Sequence, residues 1–152
     1  MAILNEWDLS PPFVEAEAVI WRESLDPSAL DLGSAIFYLL STECPFSPAN
    51  YPLLNRLAKS GVPVVGVAVE RSPDMVARYA EEWDLSFPVL VGASGSAIDR
   101  LPSFQTPTLL LASGGEVILV EFGKLSPGSS DFVEAIATSW TGTQDMPAEP
   151  RR

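Results

Sequence analysis

Residues 35–47 read Ala-Ile-Phe-Tyr-Leu-Leu-Ser-Thr-Glu-Cys-Pro-Phe-Ser. From Ala35 to Leu40 every residue is apolar, as expected of a strand buried on both faces. Ser41-Thr42-Glu43 ends the run, and Cys44-Pro45 follows. A helix is expected from Pro45 to Lys59, with Leu53, Leu54 and Leu57 on one face. Pro45 suits its first position. Pro52 should kink it, and Gly61 stops it. The chain's one cysteine thus stands between a strand end and a helix start. In open α/β sheets that is where reactive groups gather. Free N–H groups at a helix start favour an anion and lower a thiol pKa. Glu43, beside the thiol, opposes this by like-charge repulsion.

Upstream, residues 1–15 form an amphipathic, proline-containing stretch with Trp7, Leu9 and Phe13, read as an irregular N-terminal arm. Ala18 to Trp21 is a short strand candidate. Asp26-Pro27-Ser28 is a turn. Downstream, Val62 to Val69 is a second buried strand. Ser72-Pro73-Asp74 opens a helix that continues from Met75 to Trp83. Phe87 to Val91 is a third apolar segment, and Ser94 to Leu101 reads as a short helix. Gln105-Thr106-Pro107 feeds a strand from Thr108 through Ala112. Ser113-Gly114-Gly115 turns it into a hairpin with Val117 to Phe122. Gly123 ends that strand. Ser129 to Trp140 is an amphipathic helix with Phe132, Val133, Ile136 and Trp140 on its apolar side. The domain is bounded at 16–140, and 141–152 is expected to be a flexible tail.

Strands alternating with helices predict a parallel α/β core, and the terminal hairpin adds antiparallel strands. The expected fold is a three-layer sandwich, a mixed sheet with helices on both faces. A chain of 152 residues suits one domain.

Composition narrows the chemistry. Nine basic and 20 acidic residues give a net charge of −11. That balance excludes clustered phosphate binding, so no nucleic-acid partner and no anionic membrane surface are expected. No segment is apolar enough to span a bilayer. The start, Met1 to Glu6, lacks a basic stretch followed by an apolar run. This points to the cytoplasm, or outside it if a leader has been removed. The chain has no histidine, which excludes His-based zinc sites and His-dependent triads. One cysteine permits neither an internal disulfide nor a Cys-rich metal site. No cofactor and no metal are expected.

Three landmarks together resemble the thioredoxin-like superfamily. Cys44-Pro45-Phe46-Ser47, with Pro52 behind it, is similar to a Cys-x-x-Cys motif and its helix-kinking proline. Thr106-Pro107 resembles the Thr-Pro whose proline is cis and faces the active-site sulfur. The hairpin, Gly123 and the last helix resemble that fold's C-terminal part. Sixty-three positions separate Cys44 from Pro107. That spacing matches an inserted strand-helix element, as in the TlpA-like redoxin branch.

The resemblance implies a thiol-disulfide oxidoreductase with Cys44 as the attacking thiol. Ser47 stands in place of the second cysteine, as a natural monothiol variant or a Cys-to-Ser change, and would hydrogen-bond the sulfur. Pro45, Phe46, Thr106 and Pro107 would shape the substrate groove, and Glu43 would modulate it. Tyr38 takes the place of the family's buried acid, and Asn50 that of a glutamate found in many TlpA-like members. The implied partners are protein or low-molecular-weight thiols and disulfides. Two other readings follow from the departures. One is a non-catalytic binding or scaffold domain. The other is a one-cysteine peroxidase, for which Ser41 fits the Thr/Ser position of the expected loop but Phe37 occupies its proline position.

Overall fold

The computed structural model describes residues 18–20, 34–70, 72–91, 105–114 and 116–141. The N-terminal arm, the turn at Asp26, the helix expected over Ser94–Leu101 and nearly all of the tail lie outside them. Six strands form one sheet: β1 (Ala18–Ile20), β2 (Ala35–Leu40), β3 (Val64–Ala68), β4 (Val89–Val91), β5 (Thr108–Ser113) and β6 (Glu116–Phe122). Their order across the sheet is β1-β4-β3-β2-β5-β6. The β2–β3 and β3–β4 pairs are parallel. The β1–β4, β2–β5 and β5–β6 pairs are antiparallel. The sheet is therefore mixed, with its parallel strands in the middle.

Among the described residues, three α-helices accompany it: α1 (Tyr51–Lys59), α2 (Pro73–Glu82) and α3 (Pro127–Ser139). Helices α2 and α3 start by the same device. Ser72 and Ser126 accept bonds from the N–H groups of Met75 and Ser129, and a proline follows each serine. The serine satisfies an orphan donor, and the proline has no N–H to leave unpaired. Past α1, Gly61 takes φ +97°, a conformation open to glycine that ends the helix. No helix among the described residues is long and apolar enough to cross a membrane.

All six residues of β2 are buried. Ile36, Tyr38 and Leu40 join a cluster with Leu54 and Leu57 of α1, Val76 and Ala80 of α2, and Val133 and Ala137 of α3. Phe37 and Leu39 point to the other face and are also fully buried. Both faces are thus covered, as the unbroken apolar run requires. Helix α2 leads into β4, which widens the sheet beyond β3 and accounts for the long spacing between Cys44 and Pro107.

The expected helix from Pro45 to Lys59 is corrected. Cys44 lies between two turns, Pro45 and Phe46 form the second of them, Ser47–Asn50 form a 3-10 helix, and α1 begins only at Tyr51. Pro52 falls in the first turn of α1, where its missing N–H costs nothing and where no kink arises. The proline marks a start rather than a bend.

Gly66 shows how tightly the centre is filled. A Cβ there would lie 3.0 Å from the Phe87 ring and 3.2 Å from side-chain carbons of Leu40 and Val89. Gly66→Ala is expected to cost about 1–3 kcal/mol through overpacking. Urea unfolding checks this as a lower midpoint with an unchanged slope.

Candidate active site

The loop after β2 carries the sulfur. Cys44 is a free thiol and is half-buried. Its N–H donates to the Ser41 carbonyl at 3.2 Å, and its own carbonyl accepts from the Ser47 N–H at 3.4 Å. The thiol donates to the Thr106 carbonyl oxygen at 3.4 Å across the site. The Thr106–Pro107 peptide bond is cis. The two loops singled out by sequence, 62 residues apart at that contact, therefore meet at the sulfur.

Two effects compete for the thiol proton. Burial pushes the Cys44 pKa up, while hydrogen bonds from the Thr106 and Ser47 side chains and from the backbone N–H groups of Phe46 and Ser47 pull it down. The bonds win, and the pKa lies below its ordinary value. The expected helix-end effect is thus replaced by N–H groups of the turn, because α1 starts seven residues after Cys44. Glu43 is exposed. The largest influences on the thiol are burial and hydrogen bonds.

Ser47 is fully buried. Its hydroxyl oxygen accepts from the Ser41 N–H at 3.4 Å. With a lone pair so engaged, its O–H is free to donate to the sulfur. Pro45 and Phe46 are exposed beside it, Phe46 at 67%. Thr106 is half-buried, and Pro107 is buried beneath it. The structure so brings Cys44, Ser47 and Thr106 together, with Pro107 next to Thr106 and Pro45 and Phe46 exposed on the cysteine loop.

Beneath the loop lies a polar bracket. The Tyr38 hydroxyl donates to the Ser47 carbonyl at 2.6 Å. Asn50 Nδ2 donates to the Tyr38 oxygen at 3.2 Å and to the Gly123 carbonyl at 3.0 Å. Asn50 Oδ1 accepts from the Leu125 N–H at 3.0 Å. Gly123 in turn donates its N–H to the Pro107 carbonyl at 2.9 Å. Asn50 stands at the N-cap position of α1, yet its side chain caps nothing there. Its amide joins the cysteine loop to the proline loop instead. Tyr51 and Tyr79 share a hydrogen bond of 2.9 Å nearby. Burial pushes the Tyr38, Tyr51 and Tyr79 pKa values up, so these phenols stay neutral at physiological pH.

No family model matches the chain. A thioredoxin-like protein of Haemophilus influenzae is 31% identical over 105 residues, covering 68% of this chain and 60% of that protein. The chain thus spans 60% of the length of the curated relative it matches. A secreted Mycobacterium tuberculosis disulfide oxidoreductase homologous to E. coli DsbE is similar in structure, with a TM-score of 0.57 at 20% identity over 75% of this chain and 87% of that one. The fold is thioredoxin-like. MTB DsbF, solved in mixed oxidized and reduced forms, is 25% identical with a TM-score of 0.56, over 75% of this thioredoxin-like chain and 84% of that one.

Two parts of this site carry no signal in the sequence. Glu70, just past β3, reaches the loop before Cys44. Asn50 was noticed only for what it replaces. No spacing rule marks either, since both act across long sequence separations, 28–29 residues for Glu70 and 73–75 for the far bonds of Asn50. Asn50→Ala is expected to cost about 1–3 kcal/mol, because it strands the Leu125 N–H and the Gly123 carbonyl. Urea unfolding followed by far-UV circular dichroism checks the loss.

Proposed function

We propose that this chain is a thiol-disulfide oxidoreductase working through one attacking thiol, Cys44. The observation that carries the reading is the placement of that thiol. It is partly exposed, lies against the Thr106–Pro107 loop, and has a lowered pKa. A solved relative is described as a disulfide oxidoreductase, which supports the same chemistry here. Thiolate is the attacking species in disulfide exchange.

In the first step the Cys44 thiolate attacks one sulfur of a substrate disulfide. A Cys44–substrate disulfide forms, the substrate S–S bond breaks, and the other sulfur leaves as a thiolate. Ser47 and the N–H groups of Phe46 and Ser47 hold the negative charge before attack. The Thr106 carbonyl accepts from the protonated thiol and loses that bond on ionisation. Pro45, Phe46, Thr106 and Pro107 form the surface a substrate chain would meet. With no second cysteine, an external thiolate must attack the mixed disulfide and release Cys44. The substrate is a protein or a low-molecular-weight disulfide.

Reaction with glutathione disulfide tests this directly. One glutathione per chain is expected by intact mass, removable with dithiothreitol and absent in Cys44→Ala. The rate should climb with pH and level off above the thiol pKa, with a midpoint below the ~8.5 of free cysteine. A midpoint at or above that value overturns the proposal and leaves a binding domain.

A second variant separates the roles of the two positions. Ser47→Cys supplies a resolving thiol beside Cys44. The glutathione adduct should then fail to accumulate, because the new thiolate displaces glutathione and closes an internal disulfide. Persistence of the adduct in Ser47→Cys would contradict the placement of residue 47 against the sulfur.

A further inference from the structure

Glu70 lies just beyond β3, outside the two loops described above. Its Oε2 accepts from the Ser41 hydroxyl at 2.7 Å, the Thr42 N–H at 2.9 Å and the Thr42 hydroxyl at 3.0 Å. These are bonds to a charged acceptor, about twice as strong as neutral ones. The other oxygen, Oε1, is buried and has no hydrogen-bond partner among the described residues. A bare buried carboxylate oxygen costs free energy. Stability alone does not explain a group held this way.

The hydrogen bonds around Ser41 run in one direction. Ser41 gives its hydroxyl proton to Glu70, which leaves its oxygen to accept from the Glu43 N–H at 3.1 Å. Its carbonyl accepts from the Cys44 N–H at 3.2 Å. Its own N–H donates to the Ser47 hydroxyl oxygen at 3.4 Å. Ser47 is then left with its proton for the sulfur. Each group's part is fixed by the one before it, and the first is Glu70.

We propose that Glu70 is a positioning residue for Cys44, acting through Ser41 on the orientation of the loop and of the Ser47 hydroxyl. The inference rests on the reading of Cys44 as an attacking thiol. Glu70 acts through geometry, since its hydrogen bonds go to Ser41 and Thr42 rather than to the sulfur. Among the described residues, the titratable groups around the sulfur include Tyr38, Tyr51 and Tyr79 on β2, α1 and α2, and Glu43 on its own loop. None of them replaces the clamp on Ser41.

The pH dependence of iodoacetamide alkylation, read by intact mass, tests this in the full chain. Glu70→Ala should raise the Cys44 pKa and slow alkylation at neutral pH about 3- to 10-fold, the worth of one hydrogen bond. Loss of the negative charge alone would do the opposite and speed it. Glu70→Gln keeps an acceptor oxygen and should stay within about twofold of the parent. Ser41→Ala should slow the reaction like Glu70→Ala, and the double variant should be no slower than the worse single one, because both cut the same chain. Unchanged or faster alkylation in Glu70→Ala, or equal slowing in Glu70→Gln, overturns the proposal. Should Glu70→Ala fail to fold by circular dichroism, Ser41→Ala at the parental rate overturns it. A parental thiol of ordinary pKa overturns the reading of Cys44 and this role with it. A lowered parental pKa that survives Glu70→Ala overturns the role of Glu70 alone.

Discussion

The Tyr38 hydroxyl sits in the middle of a strand whose six residues are all buried. A phenol O–H in such a place must be hydrogen-bonded or it costs several kcal/mol. It finds the Ser47 carbonyl at 2.6 Å. That one bond ties the central strand to the loop bearing the sulfur. It also leaves the phenol oxygen with lone pairs to fill, and Asn50 fills one of them. Asn50 then spends its remaining bonds on Gly123 and Leu125, and Gly123 holds Pro107. Both loops of the site therefore inherit their positions from the need to satisfy one buried hydroxyl.

This changes how the thiol is activated. The bracket under the loop is made of a phenol, an amide and backbone groups. Burial keeps the phenols protonated, so these three groups exchange no proton near neutral pH. The pull on the thiol comes from hydroxyls and N–H groups in the turn. Such donors keep their direction at every pH. Glu70 adds a charge, but it delivers that charge to Ser41 and Thr42 rather than to the sulfur. Hydrogen bonds to the sulfur favour its ionised form, and the loop is oriented from both sides.

The strands were legible because burial on both faces leaves an unbroken apolar signature. Ala35–Leu40 matched its expected bounds, and β3, β5 and β6 fell within two residues of theirs. Ser72-Pro73 was readable as a start because side-chain capping is local chemistry. The start of α1 was misread for the opposite reason. Its N-cap residue is an asparagine that caps nothing, so the local signal is spent on a distant partner, and Pro52 imitates a kink. The meeting of Cys44 with Thr106 was legible only through resemblance, since no periodicity brings residues 44 and 106 together. The reach of Glu70 was not legible at all. A glutamate after a buried strand looks like any solvated charge until the fold sets it beside Ser41.

The two positions of the motif are not equivalent in this frame. Cys44 is partly open and Phe46 is largely exposed, whereas Ser47 is sealed at 0% exposure. Ser47 is also held twice, by its carbonyl to Tyr38 and by its hydroxyl to the Ser41 N–H. A group so fixed cannot travel to a substrate. It can only act on what stands beside it, which is the Cys44 sulfur. Under the proposed function, the exposed position would meet the substrate, and the sealed one would set the charge on the sulfur. A hydroxyl performs that second task without being able to displace a bound substrate. In the proposed exchange, the serine would therefore leave the opening step intact and remove the internal means of completing it.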